Sequence, residues 1–152
     1  MIIILFQPQI PQNTGNIVRT CSVTGTELIL VEPLGFSISD RQLKRAGLDY
    51  WGDVPISTIQ NLESFLETFD KPFYFFSSKA TKSYDSGKFT SDDALIFGSE
   101  TTGLPDIFFE RWPEKFMKIP MLSDARCLNL ATSAGIALYE ALRQQQFSFT
   151  TI

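Results

Sequence analysis

Residues 95 to 105 read LIFGSETTGLP, three apolar residues running into a loop of two glycines, several hydroxyls and one glutamate. Gly98 and Gly103 have the Gly-x-x-x-x-Gly spacing of a phosphate-cradling loop. Leu104 and Pro105 stand where that motif needs lysine and then serine or threonine, so triphosphate hydrolysis is excluded. What remains is a loop able to bring main chain close to a ligand, with Glu100 placed to anchor a hydroxyl or a cationic group. Two further stretches carry polar groups in similar settings. PQIPQNTGNIVRTC contains Asn16 and, one helical turn past the loop, Arg19. The planar five-donor fork of an arginine suits a phosphate or a developing oxyanion. IPMLSDARCLNLATSAG brings Cys127, Leu128 and Asn129 to the start of a helix.

The chain has no histidine. It therefore lacks the usual general base near neutral pH and the commonest metal ligand, and neither metal nor Ser-His-Asp chemistry is expected. Cys21 and Cys127 do not make a disulfide framework and read as reduced and cytosolic. The opening MIIILF has no basic segment before it and is too short for a signal core or a membrane span. A net charge of −4 argues against non-specific nucleic-acid binding. Local basic clusters remain, with Arg41, Lys44 and Arg45 in DRQLKRAG and Lys79 and Lys82 in SSKATKSY.

These groups need a scaffold, and 152 residues fit one domain, here residues 1–152. Apolar runs at 2–6, 27–32, 72–76, 94–97 and 116–120 predict strands. Helices are expected at 16–25, with Asn13 or Thr14 as cap, and from Asp40 through Ala46, stopping at Gly47. Others are expected at 61–69, at 105–112 with Pro105 in the first helical position, and from Asn129 to Gln145. In the last of these Leu130, Ala134, Leu138 and Leu142 recur every four residues. Gly135, with Ala131, Ser133, Ala134 and Ala137, makes one side of it thin, so another backbone is expected to pack there, from this chain or a second subunit. Strands alternating with helices, each strand almost continuously apolar, predict an α/β fold with a mostly parallel sheet flanked by helices. Ligands then sit outside the carboxyl ends of the strands, near loops 7–16, 77–88, 98–105 and 120–129.

Four segments in this order, IPQNTGNIVRTC, KRAGLDYW at 44–51, FGSETTGLP at 97–105 and IPM…RCLNLATSAGIALYEALRQ at 119–144, resemble the SPOUT RNA methyltransferases. The nearest group is the small tRNA (cytidine/uridine-34)-2′-O-methyltransferases. The resemblance implies a C-terminal deep trefoil knot, S-adenosylmethionine (SAM) as cofactor, tRNA as substrate, a homodimer, and no metal or membrane partner. It implies cofactor contacts at Phe76, Gly98, Gly103, Ile119, Cys127 and Leu128, and a reacting centre of Arg19 with Asn16, Glu100 and Asn129. Phosphate contacts are expected from Arg41, Lys44, Arg45, Lys79, Lys82 and Arg143. Two positions depart from the family pattern, Cys127 where serine is common and Thr102 where a basic residue is common, and the second implies weaker RNA binding. The alternatives are methylation of another tRNA or rRNA position, or a non-catalytic RNA-binding relative of the same fold.

Overall fold

The computed structural model describes residues 1–39 and 41–149, without the side chains of Gln42, Lys44 and Leu48. The expected cap at Asp40 and the Lys44 side chain lie outside the described residues.

Six short strands pair into one sheet: β1 (Ile2–Phe6), β2 (Glu27–Val31), β3 (Ile56–Ile59), β4 (Phe73–Phe76), β5 (Ala94–Phe97) and β6 (Phe116–Met117). Their order is β3-β2-β1-β5-β4-β6 and every pairing is parallel. Successive side chains point to opposite faces, and both faces are covered, which is why the strands read as unbroken apolar runs. Ile3, Leu5, Leu28, Leu30, Leu95 and Phe97 pack beneath α1 (Pro11–Thr24) and α5 (Leu130–Gln144). Ile4, Ile29, Val31, Phe75 and Ile96 pack beneath α3 (Leu62–Thr68) and α4 (Asp106–Arg111). A fifth helix, α2 (Arg41–Trp51), lies along α1. On the second face the Phe75 ring stacks on Phe108 at 5.4 Å and on Phe116 at 4.6 Å. Arg111 of α4 reaches both Glu63 and Glu67 of α3.

Several boundaries differ from expectation. The first helix begins at Pro11, not Asn16, so the loop after β1 is short and Asn13, Thr14, Gly15 and Asn16 lie in the first turns. Proline at the first helical position forfeits a hydrogen bond that has no partner there anyway. Asn13 and Thr14 are buried inside α1 and cap nothing. The second helix does not stop at Gly47 but runs to Trp51. An interior glycine costs only about 1 kcal/mol, which is offset where Leu43 is fully buried and Tyr50 and Trp51 pack on the core. Strand β3 was not expected. Its sequence ISTI is an edge strand with Ser57 and Thr58 exposed, so it offers no apolar run.

Pro105 is the residue before α4, not its first. The run 116–120 gives the sheet two residues only. Lys118 pairs instead with the loop after β4, through Lys118 N–H to the Lys82 carbonyl at 2.8 Å and Tyr84 N–H to the Lys118 carbonyl at 3.0 Å. From this edge the chain returns to lay α5 against β5 and α1. There the Gln144 side chain donates to the Gly87 carbonyl and accepts from Phe89 N–H. Around Gly135 a side-chain carbon would meet no atom within 4 Å, so no other part of the described chain packs closely on it.

Removing the ring at the centre of the aromatic stack, Phe75→Ala, is expected to cost about 3–5 kcal/mol of stability, read from denaturant unfolding.

Candidate functional site

Beyond the carboxyl ends of β4, β5 and β6, three loops enclose a cleft of about 570 Å³. Phe76, Leu104, Ile119, Met121 and Leu128 give it apolar walls, and Ser77, Ser78, Thr101, Asn129 and Ser133 give it polar ones. That size and mixture suit a small-molecule ligand. The strand order reverses between β1 and β5, where an open α/β sheet ordinarily leaves its binding crevice. Here a side chain fills that place. The Glu100 carboxylate accepts from Gln9 N–H at 2.7 Å, Ile10 N–H at 3.1 Å and Asn13 Nδ2 at 3.1 Å.

The cause is at the start of α1. Ile10 occupies the cap position, and its own N–H and that of Gln9 before it lie ahead of the first helical turn, with no main-chain acceptor among the described residues. A carboxylate arriving from the loop after β5 supplies the oxygens and also complements the positive end of the helix dipole. The network continues. Asn129 Nδ2 donates to Asn13 Oδ1 at 2.8 Å, while Asn129 Oδ1 caps α5 by accepting from Ala131 N–H at 2.8 Å and Thr132 N–H at 3.2 Å. Glu100, Asn13 and Asn129 thus tie together the start of α1, the loop after β5 and the start of α5.

The glycine loop closes on itself. Ser99 and Gly103 exchange both backbone hydrogen bonds, at 3.2 and 2.9 Å. A side-chain carbon on Gly98 would lie 2.4 Å from the Gly103 carbonyl carbon and 2.6 Å from Leu104 N, and Gly103 has φ +67°. Both glycines are required by this closure, before any ligand is considered.

All six residues expected to touch a cofactor, Phe76, Gly98, Gly103, Ile119, Cys127 and Leu128, line the cleft, as do Glu100 and Asn129. Lys79, expected at a phosphate, lines it as well. The Cys127 thiol is exposed, 3.4 Å from Ser78 Oγ. Cys21 is a core residue whose thiol is pushed up to about 12 by burial. Arg19 and Asn16 are exposed on α1 and are not among the lining residues. Arg41 and Arg45 are exposed one turn apart on α2, and Lys82 is exposed beside Lys118. Arg143 is held by Glu140 of its own helix, at 2.8 and 2.9 Å, and its hydrogen bonds keep the Glu140 carboxyl below its usual range. Among the described residues no group of cysteine, aspartate and glutamate could hold a metal ion, and no helix is long and apolar enough to cross a membrane. Ser77, Ser78 and Met121 were not singled out from the sequence, and Asn13 was singled out only as a helix cap. The two serines carried a signal, since they directly follow a strand on the working edge.

Residues 1–139 match the SpoU rRNA Methylase family. A relative from Methylovorus glucosotrophus, named tRNA (cytidine(34)-2′-O)-methyltransferase, is 43% identical over 148 residues, 96% of this chain and 96% of that protein. A solved structure concerned with the 2-OH methylation of C/U34 on tRNA has a TM-score of 0.88 and 41% identity, covering 95% of this chain and 90% of that one. An AdoMet-bound rRNA methyltransferase from Sinorhizobium meliloti has a TM-score of 0.82 and 27% identity, covering 93% of this chain and 55% of that one.

Replacing the capping carboxylate, Glu100→Ala, is expected to lower the unfolding free energy by about 2 kcal/mol, read from denaturant titration. A loss no greater than that of an exposed-loop substitution such as Thr102→Ala would contradict the capping role.

Proposed function

The chain belongs to the SpoU rRNA methylase family, and from that premise we propose that it is a SAM-dependent tRNA methyltransferase acting on the ribose 2′-oxygen of cytidine or uridine at position 34. What carries the reading is the three-loop cleft, in a chain alike over nearly its whole length to relatives named for that reaction. The cleft residues fit SAM. Apolar walls at Phe76, Ile119 and Leu128 suit an adenine ring, while the hydroxyls of Ser77, Ser78 and Thr101 and the loop amides suit ribose and amino-acid groups. When bound, SAM supplies a methyl group made electrophilic by a positively charged sulfur.

The chain's own work is then alignment more than activation. Phe76, Ile119 and Leu128 exclude water from the cleft. Glu100 and Asn129 have most of their hydrogen-bonding capacity committed, Glu100 to Gln9, Ile10 and Asn13, and Asn129 to Asn13 and the first turn of α5. We read both as positioning residues that hold the cleft's walls at fixed separation. Arg19, outside the lining, meets the substrate. Its guanidinium donates to the 2′-oxygen as negative charge develops there and pairs with an adjacent phosphate. Asn16, one turn earlier on the exposed side of α1, orients the ribose. Arg41, Lys44, Arg45, Lys79 and Lys82 contact phosphates without reading sequence. Arg143, already paired with Glu140, contributes least.

The same reading takes the chain as one cytoplasmic catalytic domain whose returning C-terminal segment is knotted. It also takes the protein as a homodimer. Ala131, Gly135 and Tyr139 share one stripe of α5, the space around Gly135 is open, and Tyr139 is 46% exposed. A second copy would cover that stripe and add the surface a tRNA needs.

Incubation with labelled SAM and unmodified tRNA, followed by nuclease mapping, is expected to put label on the ribose of nucleotide 34. Label on another nucleotide would move the substrate assignment. Absence of both label and SAM binding would refute the enzyme reading. Arg19→Ala is expected to slow transfer by about 100-fold or more while leaving SAM affinity within about twofold. Gly135→Leu is expected to yield a monomer by light scattering, with its folded circular-dichroism spectrum retained.

A further inference from the structure

The arginines of the chain differ in what holds them. Arg111 meets the carboxylates of Glu63 and Glu67, and Arg143 meets that of Glu140, so their donors are engaged. Arg19 makes no hydrogen bond or ion pair among the described residues, and its guanidinium carbon lies over the ring of Tyr50, 5.3 Å from the centroid. A carboxylate holds a guanidinium by occupying its N–H groups. An aromatic face holds it through the ring quadrupole, leaving all five donors at the edge of the plane unoccupied.

We infer that Tyr50 is a positioning residue for Arg19, restricting where the guanidinium lies while leaving its donors free for the 2′-oxygen and a neighbouring phosphate. This rests on the role given to Arg19 above. The placement of the ring is itself fixed. Tyr50 follows Leu43 by about two turns of α2, so the two share a stripe. Leu43 is fully buried, and Tyr50 is half-buried against the core beside Trp51. Helix α2 lies along α1, which carries Arg19. Arg41 is about half a turn around α2 from Tyr50, and Arg41 and Arg45 are both exposed. One helix therefore turns basic groups outward, where RNA phosphates can reach them, and an aromatic face inward onto Arg19. The phenolic hydroxyl has no part in this; the ring face does.

Two readouts on the whole protein test the inference. In a nitrogen-15 spectrum the Arg19 Nε–H resonance, identified by its loss in Arg19→Lys, is expected to be displaced by the ring current. Tyr50→Phe should keep that displacement and Tyr50→Leu should abolish it. In single-turnover methyl transfer at saturating tRNA, Tyr50→Phe is expected to match the unaltered protein and Tyr50→Leu to be about two- to fivefold slower. SAM affinity should be unchanged, and Tyr50→Leu should cause no further slowing in an Arg19→Ala background. The inference is overturned by a Tyr50→Phe as slow as Tyr50→Leu, by equal slowing in the Arg19→Ala background, or by a resonance indifferent to Tyr50. Slow Arg19→Ala with a normal Tyr50→Leu would sink this inference alone. Normal turnover in Arg19→Ala would sink the reading of Arg19, and this inference with it.

Discussion

A single carboxylate organises the working edge of this protein. The loop after β5 sends Glu100 across the point where the strand order reverses, and its oxygens take up two main-chain N–H groups and one side-chain amide at the start of α1. The two N–H groups belong to Gln9 and Ile10, just ahead of the helix and without a main-chain acceptor among the described residues, and leaving them unpaired would cost more than the hydrogen bonds return. The crevice that an open parallel sheet usually keeps for its ligand is therefore occupied by protein. The usable cleft lies outward of it, bounded by the loops that follow β4, β5 and β6.

Rigidity follows from the same arrangement. Asn13 passes the connection from Glu100 to Asn129, which in turn caps α5, so the walls of the cleft are coupled. Between them the glycine loop is closed by paired backbone hydrogen bonds and by the contact of Gly98 with Gly103. A reaction whose main requirement is alignment of three atoms benefits from walls that do not shift on binding. Arg19 belongs to the same rigid body, since it rides on the helix whose start is pinned, about 9 Å along the axis from Asn13.

Much of this could be read in the residue pattern, and the exceptions have physical reasons. Strands buried on both faces announce themselves as apolar runs, so β1, β2, β4 and β5 were legible. The edge strand β3, half-exposed and built from Ile-Ser-Thr-Ile, was not. Tertiary packing carried α2 past Gly47 and proline chemistry drew α1 back to Pro11. The cleft residues were found because the matching motifs fall on strand ends. The Glu100 network was not, because its hydrogen bonds join positions about 90 residues apart and nothing local marks an acid as a cap for another element's helix. The same holds for Arg19 and Tyr50, whose contact depends on how two helices lie together.

The most direct measurement is amide hydrogen exchange in the intact protein and in Glu100→Gln. The account predicts slow exchange at Gln9 and Ile10 in the intact protein. In the variant, exchange should quicken at both positions and also at Ala131 and Thr132, which are reached only through Asn13 and Asn129. Fast exchange at Gln9 and Ile10 in the intact protein, or an effect that stops short of α5, would contradict it.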